Sequence, residues 1–302
     1  MNNSPRRETH VIAIGNQKGG VGKTTMTAHL AAALGERGHS VLAIDLDMNY
    51  GLTQHFGVDP EAFLGTFEVL IGEEMPEDVI ITNDDEGVRL PPGVHLIASR
   101  RKLEDIDRAL ASISKFVTPQ NTLLRPMERI LALDRYDVVL LDTAPNATPP
   151  TLAAYRCSPW FLLTATPDPF ATRGLNDALQ DIRDAQENGN PDLRLLGVAL
   201  SAVDRRTRLA SSLSEYVEQA FRIDATSTLK FKTEVSRSTA IPSAQKLGTT
   251  VLETHPNHVV ANQYRALAAE VRARLRPQDV PAVEHAGLAP GAESDVGRVG
   301  HG

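Results

Sequence analysis

The chain has 302 residues, 41% of them hydrophobic, enough to bury one sizeable core in one domain. A formal net charge of −7 excludes a polycation, so any nucleic-acid contact must use a local patch. The one cysteine, Cys157, excludes an intrachain disulfide or a cysteine-built metal cluster within one chain, and no run approaches the roughly 18 apolar residues of a membrane span.

Residues 1–8 read as a flexible N-terminus. Arg6-Arg7 lead only into a short apolar run, so no secretory signal is expected and the cytoplasm is the default. Eight residues also leave no room for a helix-turn-helix domain, so operator binding is not expected. The apolar run Val11-Ile12-Ala13-Ile14 then suits a buried strand of a parallel sheet. Thr24 to Gly38 follows as a helix, with Met26, Leu30, Ala33 and Leu34 at helical spacing and Gly38 as its stop.

Between them lies Gln17-Lys18-Gly19-Gly20-Val21-Gly22-Lys23-Thr24-Thr25. Strand, glycine-rich turn and helix are the setting of a P-loop, whose backbone N–H groups and helix N-terminus cradle phosphates. Lys23 is placed to neutralise the β- and γ-phosphates, and the Thr24 hydroxyl to hold Mg²⁺. Gln17 stands where the general G-x-x-x-x-G-K-[ST] pattern has glycine, and Lys18 is a second lysine inside the turn.

Further strands are predicted at Ser40–Leu46, Val94–Ala98, Tyr136–Asp142, Trp160–Ala165 and Leu193–Ala202. Helical patterns fall near 102–115, 121–134, 149–157, 171–187, 207–221 and 258–276. Strands separated by helices predict an α/β fold, a mostly parallel central sheet covered on both faces, over residues 9–276. Residues 277–302 carry three prolines and five glycines with no helical period and read as a disordered tail.

Asp142 ends four aliphatic residues, the Walker B arrangement in which a carboxylate reaches Mg²⁺ directly or through water. Asp45 and Asp47 occupy alternate positions, so both are expected on one face of the strand end. One could organise magnesium waters while the other orients the attacking water.

Lys18-Gly19-Gly20-Val21-Gly22-Lys23-Thr24 resembles KGGxGK[ST], the deviant Walker A motif of the ParA/MinD family of P-loop ATPases. The resemblance covers residues 9–276. It extends to Asp142-Thr143-Ala144-Pro145, to Asp168-Pro169-Phe170-Ala171-Thr172-Arg173-Gly174-Leu175, to Asp204-Arg205-Arg206-Thr207 and to Ile241-Pro242-Ser243. It implies ATP and Mg²⁺ held by Lys18 to Thr25 (Lys18, Gly19, Gly20, Val21, Gly22, Lys23, Thr24, Thr25), with Thr24, Asp45 and Asp142 at the metal. It also implies that Lys18 reaches across a homodimer interface to the partner's nucleotide, and that Lys18, Lys23 and Asp47 carry the catalysis. Met48-Asn49 replace the family's Pro-Gln after Asp47, and Thr233-Glu234-Val235 stand where the family often has Pro-Arg-Asn beside the adenine.

The resemblance further implies an ATP-dependent dimer that binds DNA nonspecifically, associates with the nucleoid and positions DNA or another cargo. A ParB-like or other cargo-adaptor partner would stimulate hydrolysis. Residues 204–246 hold eight bases against five acids, a local balance of +3, and Arg206, Arg208 and Arg237 are the expected DNA contacts. Three alternatives compete. A MinD-like membrane regulator would use the stripe Tyr264, Leu267, Val271 and Leu275 as an amphipathic face. An iron–sulfur carrier would need more than Cys157, and a nucleotide-switched regulatory protein would turn ATP over only incidentally.

Overall fold

A computed structural model describes residues 7–113 and 118–275. The expected tail and residues 1–6 lie outside the described residues. Six strands, β1 (His10–Gly15), β2 (Val41–Asp45), β3 (Val94–Ile97), β4 (Val138–Asp142), β5 (Trp160–Ala165) and β6 (Arg194–Leu200), form one sheet in the order β3-β2-β4-β1-β5-β6. Every pairing in it is parallel. The sheet is therefore wholly parallel, where the sequence predicted a mostly parallel one.

Every residue of β1, β2, β4 and β5 is buried. Those strands read as unbroken apolar runs because helices cover both faces of the sheet. The helices are α1 (Lys23–Glu36), α2 (Gly51–His55), α3 (Thr66–Ile71), α4 (Ile106–Ile113), α5 (Leu124–Ala132), α6 (Pro149–Cys157), α7 (Ala171–Glu187), α8 (Arg208–Ala220), α9 (Ala240–Lys246), α10 (Val251–Thr254) and α11 (Val259–Arg274). Helix α1 is buried almost all round. Its Ala28, Ala31, Ala32 and Ala33 are small enough to sit flush against the sheet and the neighbouring helices.

Tyr264, Leu267, Val271 and Leu275 are each at most 1% exposed. The stripe on α11 is thus docked on the core and is not an open amphipathic face. No helix among the described residues is long and apolar enough to cross a membrane.

Some boundaries differ from the sequence expectation. The second strand ends at Asp45, so Asp47 lies in the loop beyond it and the strand alternation does not place both acids. The helix expected over 102–115 begins as a 3₁₀ turn, Arg101–Asp105, before α4. Helices α2, α3, α9 and α10 were not predicted. They run from four to seven residues, too short to display a helical apolar period.

Candidate functional site

Strand order assembles the site. Strand β4 lies between β2 and β1, with Asp142 level with both Ile14 and Asp45 in the register. The loop after β1, the end of β2 and the end of β4 therefore meet at one place on the carboxyl edge, where parallel α/β sheets bind ligands.

The phosphate loop takes its shape from two glycines. Gly20 has φ of 75° and Gly22, the N-cap of α1, has φ of 82°, a left-handed geometry that glycine adopts without penalty. Val21 between them is buried and anchors the turn. Lys23 is 6% exposed, and its ammonium donates back to the carbonyls of Asn16 at 3.1 Å and Lys18 at 3.2 Å. Burial holds its pKa below the usual lysine range, with Asp142 and Asp47 the nearby charges opposing that shift.

At the start of α1 the Thr24 hydroxyl donates to Asp142 Oδ2 at 2.7 Å, and one turn further on the Thr27 hydroxyl donates to Asp142 Oδ1 at 2.9 Å. Sequence reasoning missed Thr27, although its position one helical turn after Lys23 was a readable signal. Asp45 is fully buried and accepts from the Thr53 N–H and hydroxyl and, at 3.2 Å, from the Asp47 N–H. Burial raises the pKa of Asp45, and burial together with the adjacent Asp45 raises that of Asp142. Two buried carboxylates and a threonine hydroxyl form an oxygen-only donor set. That set fits Mg²⁺, which is held through one or two carboxylates and completes its shell with water and phosphate.

Lys18 is turned toward its own chain. Its ammonium pairs with the Asp168 carboxylate and lies 5.7 Å from the centre of the Phe170 ring. The first turn of α7 closes on the loop here. A Cβ at Gly174 would meet Asn16 Oδ1 at 3.1 Å and Lys18 Cβ at 3.4 Å. Gly19 is exposed, and Gly20, Gly22 and Thr25 line a cavity of about 290 Å³ shared with Ser201, Arg237 and Pro242.

The basic segment is less uniform than its composition implies. Arg206 is bound by Asp204 at 2.8 and 2.9 Å, and Arg205 by Glu234 at 3.4 Å. Lys230, only 8% exposed, is paired with Glu234 at 3.0 Å. Arg208, at the start of α8, and Arg237 are exposed and make no ion pair among the described residues. The three expected DNA contacts are thus one neutralised arginine and two free ones, with Arg237 also facing the cavity beside the phosphate loop.

Comparison with known proteins agrees with this arrangement. The AAA domain family matches residues 9–195. The chromosome-partitioning ATPase Soj of Thermus thermophilus is 31% identical over 272 residues, covering 90% of this chain and 98% of the relative. The sporulation initiation inhibitor protein Soj of Bacillus subtilis is 28% identical, covering 87% and 98%. Among solved structures, cobyrinic acid a,c-diamide synthase from Mycobacterium smegmatis with bound ADP and magnesium superposes with a TM-score of 0.72 at 26% identity. That match covers 91% of this chain and 98% of the other. With its deviant phosphate loop, its Walker B aspartate and these relatives, the chain belongs to the ParA/MinD family of P-loop ATPases.

Proposed function

We propose that this chain is a ParA-like ATPase that segregates or positions DNA or another cargo. It binds Mg·ATP on the β1–α1 loop, dimerises in the ATP state and binds DNA without sequence preference. A ParB-like or other adaptor stimulates its hydrolysis. One observation carries the reading: the Thr24 hydroxyl and Asp142 carboxylate are joined at 2.7 Å beneath a buried Lys23, so cation and polyphosphate are addressed at one point.

Each residue has a task. Backbone N–H groups of Gly19 to Thr25 surround the phosphates at the N-terminus of α1. Lys23 exchanges its two carbonyl contacts for phosphate oxygens, a stronger charge-assisted pairing. Thr24, Asp142 and Asp45 would hold the magnesium, which when bound neutralises charge developing on the transferred phosphoryl group. Asp47, beyond the strand end, orients the attacking water. Lys18 leaves Asp168 and neutralises the partner subunit's triphosphate. Free Arg208 and Arg237 meet DNA phosphates.

The test is phosphate release with and without DNA, for the wild type and Asp47→Ala. The variant should retain ATP binding and dimer formation and lose at least about tenfold in turnover, the low end for a positioned acid or base. Hydrolysis unchanged by Asp47→Ala would move the role to another acid, and turnover indifferent to DNA would favour a simple nucleotide switch.

A further inference from the structure

The loop that carries Asp47 is held in an unusual way. Both the N–H and the side-chain amide of Asn49 donate to a single carboxylate oxygen, Asp47 Oδ1, each at 2.9 Å. Among the described residues no group hydrogen-bonds Oδ2, which therefore keeps both lone pairs for an outside donor. From the other side, the buried Ser99 hydroxyl, two residues beyond β3, donates to the main-chain carbonyl of Asp47 at 2.7 Å. The Ser99 N–H donates in turn to Thr53, whose hydroxyl donates to Asp45.

The loop pays for this shape. Tyr50, directly after Asn49, has φ of 44°, a left-handed conformation that costs a bulky residue about 1–3 kcal/mol and persists only where its surroundings impose it. Its N–H also donates to the Asp47 carbonyl, at 2.9 Å. An Asx turn alone would account for the backbone N–H contact to Oδ1. It does not account for the second donor on the same oxygen, nor for a buried serine spent on the carbonyl of the same residue.

We propose that Asn49 and Ser99 are positioning residues for hydrolysis. Asn49 fixes the carboxylate torsion of Asp47 by occupying Oδ1, and Ser99 fixes the backbone it hangs from, so that Oδ2 points to the attacking water. The two residues supply through hydrogen bonds a rigidity that Met48 cannot impose on the loop. The inference rests on Asp47 as the water-orienting acid.

The experiment is steady-state phosphate release together with the Kd of a nonhydrolysable ATP analogue. Asn49 is exposed, so its variants should fold. Asn49→Ala should lower kcat about three- to tenfold with KM and Kd unchanged, since a small misplacement at a reacting centre costs up to about 10²-fold. Asn49→Asp, which sets a second carboxylate against the first, should lose more, and Asn49→Gln should restore most of the rate. Ser99→Ala should follow Asn49→Ala, with Ser99→Thr keeping the hydroxyl. In an Asp47→Ala background Asn49→Ala should add nothing, because the two act as one unit. Wild-type kcat in Asn49→Ala, or an equal loss in the two backgrounds, overturns the proposal while leaving Asp47 in its role. Full hydrolysis by Asp47→Ala overturns both, and that arm identifies it.

Discussion

The phosphate loop and the basic segment from Asp204 to Lys246 are both rich in charge, and the fold handles them differently. At the loop each of these charged groups is answered by an atom of the loop or of another element beside it: Lys23 by two carbonyls, Asp142 by two threonines of α1, Lys18 by Asp168. In the segment much of the pairing is between neighbours in sequence, Arg206 with Asp204 and Lys230 with Glu234. The first kind of pairing builds a site. The second subtracts from one, because each neutralised base is lost to an outside anion.

If that difference is real, removing one charge from the loop should have the largest effect. Lys23→Ala should abolish measurable Mg·ATP binding by titration calorimetry, and dimer formation with it. Wild-type affinity in that variant would break the assignment of the loop.

The loop's support should respond to acid. Behind the loop, His29 on α1 is fully buried, donates to the Thr25 carbonyl and accepts from the Val251 N–H. Burial pushes its pKa down to about 3, and pushes that of the neighbouring His55 down to about 4. Both are neutral in the folded chain, while the unfolded chain takes up their protons from about pH 6.5 downward. The histidines' contribution to stability is therefore lost as pH falls from about 6.5 to about 4 for His55 and to about 3 for His29, by about 2 kcal/mol for each at pH 5. Asp45 and Asp142, whose pKa values burial raises, act in the opposite sense over that window, so the histidine share is read as the difference in unfolding temperature between wild type and a histidine variant across pH. His55→Leu, which replaces a ring that has no hydrogen-bond partner among the described residues, should remove about half of that histidine contribution and raise the unfolding temperature at pH 7. An unchanged slope would remove His55 from the account.

A smaller effect is expected where the loop meets α7. Lys18→Gln should spare the monomer's ATP binding and abolish the ATP-dependent dimer. Asp168→Asn should act in the opposite sense, because it releases Lys18 from its own chain. The pair is partly exposed, at 30% and 23%, so it is worth about 0–1 kcal/mol, and the analogue concentration for dimerisation should fall up to about fivefold. Sedimentation with a nonhydrolysable analogue reads both. A stable Lys18→Gln dimer would make Lys18 a turn residue only.

The same contrast explains what could be read from the sequence. The phosphate loop, Asp142 and the six strands were legible because each is a contiguous pattern whose geometry follows from its own spacing. Asp47 was legible as an acid but not as a loop residue, since the end of β2 is set by tertiary contacts of Thr53, Ser99 and Thr66 with the backbone and carboxylates around it. The partner of Lys18 lies 150 positions away and only the strand order brings it near. Composition gave +3 for the basic segment, yet it could not tell that Glu234 serves both Arg205 and Lys230.

The smallest effect, and the finest test of the comparison, lies within that segment. Arg206 and Arg237 are both exposed and have the same side chain, but only Arg206 is fork-paired with an acid, and hydrogen bonds from Arg206 pull the Asp204 pKa down to about 2. A DNA phosphate must displace Asp204 to use Arg206, whereas Arg237 is available at once. Each phosphate neutralised contributes about −0.9 to the slope of log K against log salt. Arg237→Ala should therefore reduce the slope's magnitude by about 0.9 and weaken binding to every sequence alike. Arg206→Ala should change the slope by much less, and Asp204→Asn should strengthen binding by freeing the arginine. The measurement is a salt titration of DNA binding in the ATP-analogue state. If Arg206→Ala costs as much as Arg237→Ala, sequence-local pairing does not silence a base, and charge counted along the chain is the better guide to the interface.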